Sequence, residues 1–316
     1  MNIEEIKSII NRVKTGISSV VIGQEETLDL MLVALFGRGH VLLEDVPGIG
    51  KTTLASALAK SINLDFKRIQ FTPDVMPSDI TGFNMYNAKV GEFQFQAGAV
   101  MSNLVLADEI NRSSPKTQSA LLEAMQDRQV TVDGVTYELP NPFMVVATQN
   151  AVEQIGTYPL PEAQLDRFMI KTNLRYPSLQ EEMKIYALHS GHSPLENMEG
   201  LLSIEELLEI QEAAIDVYVA HSLYEYVASI SKASRNHPQV QLGVSPRGAL
   251  MLVQASKARA LINGRDYVLP DDIQYLTPYC LAHRIILHGD AEFNDITEKS
   301  IIDEILANTP IPKNEH

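Results

Sequence analysis

Apolar residues Ile3, Ile6, Ile9, Ile10 and Val13 recur at helical spacing in the opening stretch MNIEEIKSIINRVK, with charged and polar residues between them. That period predicts an amphipathic helix, and a second helix is expected from Gln24 to Phe36. The pattern then shortens. His40 to Leu43 is a compact apolar run of strand length, followed by a helix predicted from Lys51 to about Ile62. Phe66 to Gln70 alternates as a strand does, and Leu104–Ala107, Phe143–Ala147 and Phe168–Leu174 are further apolar runs. Ser113 or Ser114 can cap a helix that has Pro115 in its first turn and runs to about Asp127. The stretch from Phe71 to Val100 is irregular, broken by Pro73, Pro77, Gly82, Gly91 and Gly98. Within it FNMYNAKVGEFQFQ reads as a hairpin, and QVTVDGVTYEL as a second one turning at Asp133-Gly134. Strands alternating with helices predict a three-layer α/β domain with a mainly parallel sheet.

After Arg175-Tyr176-Pro177 nearly all periods are helical, and Ser178 with Glu181, like Ser203 with Glu206, fits a capping box. The expected division is an α/β domain over 1–177, with N-terminal helices and two hairpin insertions, then an all-α domain over 178–316. A chain of 316 residues accommodates two domains, since domains run about 100–200 residues.

Charge narrows the partners. With 25 Lys and Arg against 40 Asp and Glu, the formal net charge is −15. Such a chain repels a duplex backbone, so no nucleic-acid partner is expected. Cys280, the one cysteine, cannot form an internal disulfide and fits a reducing compartment. No apolar run approaches the ~18 residues of a membrane span, and the first residues lack a secretory apolar region. The expectation is a cytoplasmic protein with no direct membrane insertion.

The candidate chemistry begins at HVLLEDVPGIGKTTLASALAK, His40 to Lys60. Gly50, Lys51 and Thr52 fit the end of a phosphate-cradling G-x-x-x-x-G-K-[ST] loop, while Asp45 stands where that pattern has its first glycine. The backbone carries the argument. N–H groups from Gly48 to Thr52, at the positive end of a helix, can converge on an anion. Lys51 supplies a mobile charge for β and γ phosphates, and Thr52 a hydroxyl for Mg²⁺. In NLVLADEINR a buried strand ends in two carboxylates: Asp108 suits Mg²⁺, and Glu109 suits a general base. VVATQN ends in Asn150, whose amide can orient water or serve only as a turn residue. Arg167 in PEAQLDRF and Arg247 in GVSPRGAL can each stabilise phosphoryl charge or form an ordinary surface ion pair. His189 and His192 in HSGH lack an evident third ligand, and Cys280 with His283 reads as packing.

The ordered set EDVPGIGKT, LADEINR, VVATQN, PEAQLDRF and GVSPRG resembles the MoxR family of AAA+ ATPases, from VIGQEE at Val21 to YVLPDDI at Tyr267. In that family acidic residues often precede Val-Pro-Gly, so Asp45 departs from the general pattern only. The resemblance implies a P-loop NTPase domain followed by a helical lid. Pro47, Gly48, Ile49, Gly50, Lys51, Thr52 and Thr53 look like Walker A, and Asp108 and Glu109 like Walker B. Asn150 looks like sensor 1, Arg167 like an arginine finger offered to a neighbouring subunit, and Arg247 like sensor 2 on the lid. Ile22 and Gly23 are similar to the segment bordering adenine, and the hairpins to insertions facing the pore of a ring. Arg112 is assigned no catalytic role, and the resemblance offers it a place at a subunit interface. The implied activity is ATP hydrolysis with Mg²⁺ in a homo-oligomeric ring, a hexamer, with ATP between the α/β domain and the lid. It is spent on remodelling, assembly or metal-cofactor maturation of a client, with a partner carrying a von Willebrand factor A domain. A chelatase-like metal-insertion motor and a DNA-remodelling motor are the alternatives.

Overall fold

The structure, a computed structural model, describes residues 1–45, 48–150, 156–189, 194–289 and 296–312. Helices α1 (Ile3–Ser18) and α2 (Glu25–Phe36) precede β1 (Val41–Asp45), α3 (Lys51–Ser61), β2 (Phe66–Gln70) and α4 (Pro77–Thr81). The hairpin β3 (Gly82–Asn87) and β4 (Glu92–Ala97) is followed by β5 (Leu104–Asp108) and α5 (Pro115–Asp127). A second hairpin, β6 (Gln129–Val132) and β7 (Val135–Glu138), leads to β8 (Met144–Asn150), α6 (Glu162–Leu165) and β9 (Ile170–Asn173). Then come α7 (Leu179–His189), α8 (Ile204–Asp216), α9 (His221–Asn236), β10 (Val240–Leu242), α10 (Pro246–Ile262), α11 (Pro270–Leu281), β11 (Ile286–Leu287) and α12 (Glu298–Asn308).

The apolar pattern explains these elements. In α1, Ile6, Ile10, Val13 and Ile17 are buried on one stripe, and Asn2 and Glu5 close a capping box at its start. Ser114 accepts from the Thr117 N–H and caps α5, with Pro115 in its first turn. The central sheet is parallel throughout, in the order β2-β5-β8-β1-β9. Alternate strand residues face opposite layers. Val41, Leu43, Leu104, Leu106, Val146 and Ile170 join the core shared with α1, α2 and α3. Leu42, Val105, Ala107, Val145 and Ala147 join a second core with Phe71, Ile80, Leu121 and Phe168. The first core continues into α8 to α12.

Two features go beyond the predicted pattern. The stretch expected to be irregular holds α4, and the C-terminal helices carry a small antiparallel ribbon, β10 with β11. Strands of three and two residues are too short to show a period. Among the described residues no helix is long and apolar enough to cross a membrane.

Candidate nucleotide site

Strand β1 delivers the chain to the loop, and α3 starts directly beyond it. Gly48 and Gly50 have φ of +86° and +91°, a backbone region that side chains strain to enter. Among the described residues, a Cβ at either position would meet no atom within 4 Å, so these leave the space before the loop open. Gly50 is the N-cap of α3, and it brings no side chain to cap the helix. Its leading N–H groups and the positive end of its dipole therefore face an open cradle suited to phosphate. Ile49 packs against the main core and anchors the loop. Thr52 and Thr53 sit half-buried in the first turn of α3. Pro47 and the side chain of Asp45 lie outside the described residues.

Lys51 Nζ lies 2.8 Å from Asp108 Oδ1. Asp108 is 1% exposed, and two further side chains bond it. Thr148 Oγ1 donates to Oδ1 at 2.9 Å, and Arg68 Nη2 donates to Oδ2 at 2.7 Å. Burial alone would raise the Asp108 pKa, but the bonds from Lys51, Arg68 and Thr148 outweigh it and hold the carboxyl below its ordinary range. It is a carboxylate at neutral pH, as a magnesium ligand must be.

Glu109 adopts φ 56°, ψ 50°, the left-handed region, an uncommon conformation for a side-chain-bearing residue that clusters at functional sites. Its N–H donates to Thr148 Oγ1 at 2.8 Å. Its Oε2 accepts from Gln70 Nε2 at 2.7 Å and from Arg112 Nη1 at 3.1 Å. Arg112, given no firm role by the sequence, is thus a partner of Glu109 within its own chain.

Sheet register gathers these groups. Gln70 pairs with Asp108 across β2 and β5, and Asp45 with Asn150 across β1 and β8. The strands therefore end together at the carboxyl edge, where open α/β sheets bind ligands. Asn150 is buried two residues beyond Thr148, on the same face of β8. Its carbonyl accepts from Asn111 Nδ2 at 3.3 Å. Ile22 lines a cavity of about 570 Å³ with Ser18, Ser19, Glu25 and, from α7, Lys184 and Leu188. Gly23, at φ +79°, faces the Glu181 carboxyl group, 3.0 Å from where a Cβ would stand.

The two arginines are elsewhere. Arg167 precedes β9, whose Ile170 is in register with Val41 at the start of β1. It is therefore at the amino edge, and its Nη1 donates to the Leu122 carbonyl of α5. Its Nε is buried and makes no hydrogen bond among the described residues. Arg247 follows Ser245, which bonds Asp166 at the same edge, and its charge is felt by His40 and Arg284. Arg247 therefore lies with Arg167 at the amino edge, away from the cradle of its own chain.

Three partners of the site escaped the sequence reading: Arg68, Gln70 and Thr148. Arg68 and Gln70 are two apart on the same face of β2, and Thr148 is two before Asn150; that spacing was the available signal. Cys280 is buried with its thiol pushed up to about 12 by burial, and His283 Nε2 contacts the Phe168 carbonyl at 3.1 Å. Both are packing residues, as expected. His192 and the His189 side chain lie outside the described residues. Among those described, no group of three or more His, Cys, Asp or Glu residues could hold a metal. A magnesium ion here would rest on Thr52 and Asp108 with phosphate and water, which is how that ion is usually held.

A glycine cradle at a helix start, with a lysine and a buried aspartate from the next-but-one strand, defines a phosphate-binding ATPase domain. The family of ATPases associated with various cellular activities matches residues 40–170, and the AAA lid domain matches residues 232–305. A crystal structure from Cytophaga hutchinsonii, of a protein assigned as an ATPase, superposes with a TM-score of 0.93 at 42% identity, covering 98% of this chain and 97% of that one. Chaperone MoxR1 of Mycobacterium tuberculosis is 42% identical over 94% of this chain and 81% of its own length. Bacillus subtilis YeaC is 51% identical over 98% of this chain and 97% of its own. The chain belongs to the MoxR family of AAA+ ATPases.

Proposed function

We propose that the chain binds ATP with Mg²⁺ at the carboxyl edge, hydrolyses it, and spends the resulting movement on remodelling, assembling or maturing the metal cofactor of a partner protein. The observation that carries this reading is the Lys51–Asp108 contact of 2.8 Å beneath the open cradle at Gly48 and Gly50. The N–H groups from Gly48 to Thr53 would wrap the phosphates, and Lys51 would exchange Asp108 for their oxygens. Thr52 and Asp108 would hold Mg²⁺, which neutralises charge between the β and γ phosphates when bound. Glu109 would take the proton of the attacking water, with Asn150 orienting that water. Ile22 and Gly23 would border the base, in the cavity shared with α7.

Arg167 and Arg247 stand at the opposite edge, so they would serve the site of a neighbouring copy. That supports a closed ring, a hexamer in this reading. A head-to-tail contact builds a ring when its rotation closes. The division at residue 177 into nucleotide-binding part and lid, and a cytoplasmic location, belong to the same proposal. The hairpins support a protein client. Phe83, Met85, Tyr86, Val90 and Phe93 are exposed on the first and Val135 on the second, and an exposed apolar patch marks a contact surface. Lys89 is the single basic residue of β3–β4 and its turn, which disfavours a DNA substrate. A partner with a von Willebrand factor A domain is one candidate client or adaptor.

Phosphate release tests this directly. Glu109→Gln should retain ATP binding and lose about 10²-fold or more in turnover, whereas Lys51→Ala should lose ATP binding. Full turnover by Glu109→Gln would remove the base assignment. Capture of a protein by the ATP-loaded Glu109→Gln chain would identify the client, and stimulation by duplex DNA would reverse the choice of partner.

A further inference from the structure

The segment carrying Arg167 and the helix carrying Arg247 share one anchor. Asp166 Oδ1 accepts from Arg284 Nε at 2.8 Å. Ser245 Oγ donates to the two oxygens of Asp166 at 3.3 and 3.4 Å. The same Ser245 Oγ accepts from the Gly248 N–H at 3.1 Å and so caps α10. Arg284 Nη2 reaches past Arg167 to the Phe168 carbonyl at 2.6 Å, and it also meets the Asp166 carbonyl at 3.2 Å. The residues on both sides of Arg167 are therefore gripped by a side chain that follows α11.

The clasp also explains the glycine after Arg247. A Cβ on Gly248 would stand 2.5 Å from Arg284 Cδ and 2.9 Å from its Nε. Gly248 is an ordinary helical residue; its missing side chain is what lets Arg284 pass beneath α10. In Ser245-Pro246-Arg247-Gly248, serine and glycine thus build the clasp, and the arginine between them is carried by it.

The Arg284 side chain is 1% exposed. A buried guanidinium is tolerated only with its carboxylate and carbonyl partners in place, so such a network assembles as a whole or is disrupted as a whole. Bonds from a rigid planar fork fix direction as well as distance. We infer that the Arg284–Asp166–Ser245 clasp is a positioning device that sets Arg167 and Arg247 as one unit, with Arg284 as its positioning residue. This rests on the reading that both arginines serve a neighbouring copy's ATP site.

The test uses full-length chains mixed in pairs. Asp166→Asn alone should bind a fluorescent ADP analogue within about twofold of wild type, because its own cradle is at the other edge. Its turnover should fall by about tenfold or more, with KM little changed, since a misplacement of ~1 Å can cost ~10²-fold. Lys51→Ala lacks a cradle but offers intact arginines. An equimolar mixture of Lys51→Ala and Asp166→Asn should recover turnover at about a quarter of junctions, those pairing an intact cradle with correctly set arginines. Gly248→Ala, which disturbs the clasp from the other side, should behave as Asp166→Asn and takes its place if that variant does not fold. Arg167→Ala mixed with Lys51→Ala is the control. If the control recovers nothing, the arginines do not act across a junction, and the reading and this inference fall together. If the control recovers while the clasp mixtures do not, the clasp merely holds the fold together and the inference is overturned. Wild-type turnover by Asp166→Asn and Gly248→Ala would overturn it equally.

Discussion

Thr148 shows how much one small side chain carries at this site. Its hydroxyl donates to Asp108 Oδ1 and accepts from the Glu109 N–H, so it ties the proposed metal ligand to the proposed base. It is fully buried. Thr148→Val keeps the shape and removes both bonds, leaving a buried carboxylate and a buried N–H short of partners. The expected cost is about 1–3 kcal/mol of stability, read from urea unfolding, together with a fall in turnover at unchanged protein concentration. Gln70 and Arg112 both donate to Oε2 of Glu109, the proposed base. These bonds fix the direction of the carboxylate, so Gln70→Ala should lower turnover by about tenfold with binding of a fluorescent ADP analogue unchanged, since a small misplacement of a reacting group is costly; unchanged turnover would show that the Gln70 bond does not position Glu109.

At the level of elements, the two hairpins form one surface rather than two. Phe95 of β4 stacks on Tyr137 of β7, ring centroids 4.0 Å apart and planes at 11°. Asn84 Nδ2 of β3 donates to Asp133 Oδ2 in the turn between β6 and β7 at 2.9 Å. Phe93, two residues before Phe95 on the same face of β4 and nearer the turn, is 71% exposed. A double-mutant cycle on Phe95→Ala and Tyr137→Ala should give a coupling of about 0.5–1.5 kcal/mol, measured by chemical unfolding. Phe93→Ala should leave unfolding almost unchanged while weakening client-stimulated turnover, because its ring makes contact with Tyr86 alone among the ring pairs of this hairpin. The hairpins were legible as alternating runs with Gly91 and Asp133-Gly134 at their turns. Their contact was not, since Phe95 and Tyr137 lie far apart in sequence and either ring could equally have faced solvent.

Across the whole molecule, acid should act through buried histidine. His40 closes the amino edge, with Nδ1 accepting from the Val145 N–H at 3.0 Å and Nε2 against the Met125 carbonyl at 3.3 Å. Burial, opposed by the Met125 bond, lowers its pKa from 6.5 to about 4. Between those values the unfolded chain binds the extra proton and the folded chain does not. Stability is then complete above pH 6.5 and declines as pH falls toward 4, by at most about 3 kcal/mol from this group. His283, also lowered by burial, acts in the same direction. Urea midpoints at pH 5 and pH 7.5 should differ less for His40→Gln than for wild type.

The chain alone determined what depends on neighbours in sequence. Helix stripes, apolar strands, capping serines, the Gly48–Thr52 cradle and the adjacent carboxylates Asp108 and Glu109 are all local patterns, and local backbone preference suffices to read them. What crosses the sheet was decided only by tertiary structure. Arg68 and Thr148 meet Asp108 from positions 40 residues away on either side, because parallel strands must be joined by crossovers that carry neighbours far apart in sequence. The same topology sends Lys51 and Asn150 to one edge and Arg167 and Arg247 to the other. No periodicity encodes an edge; it follows from where each crossover returns.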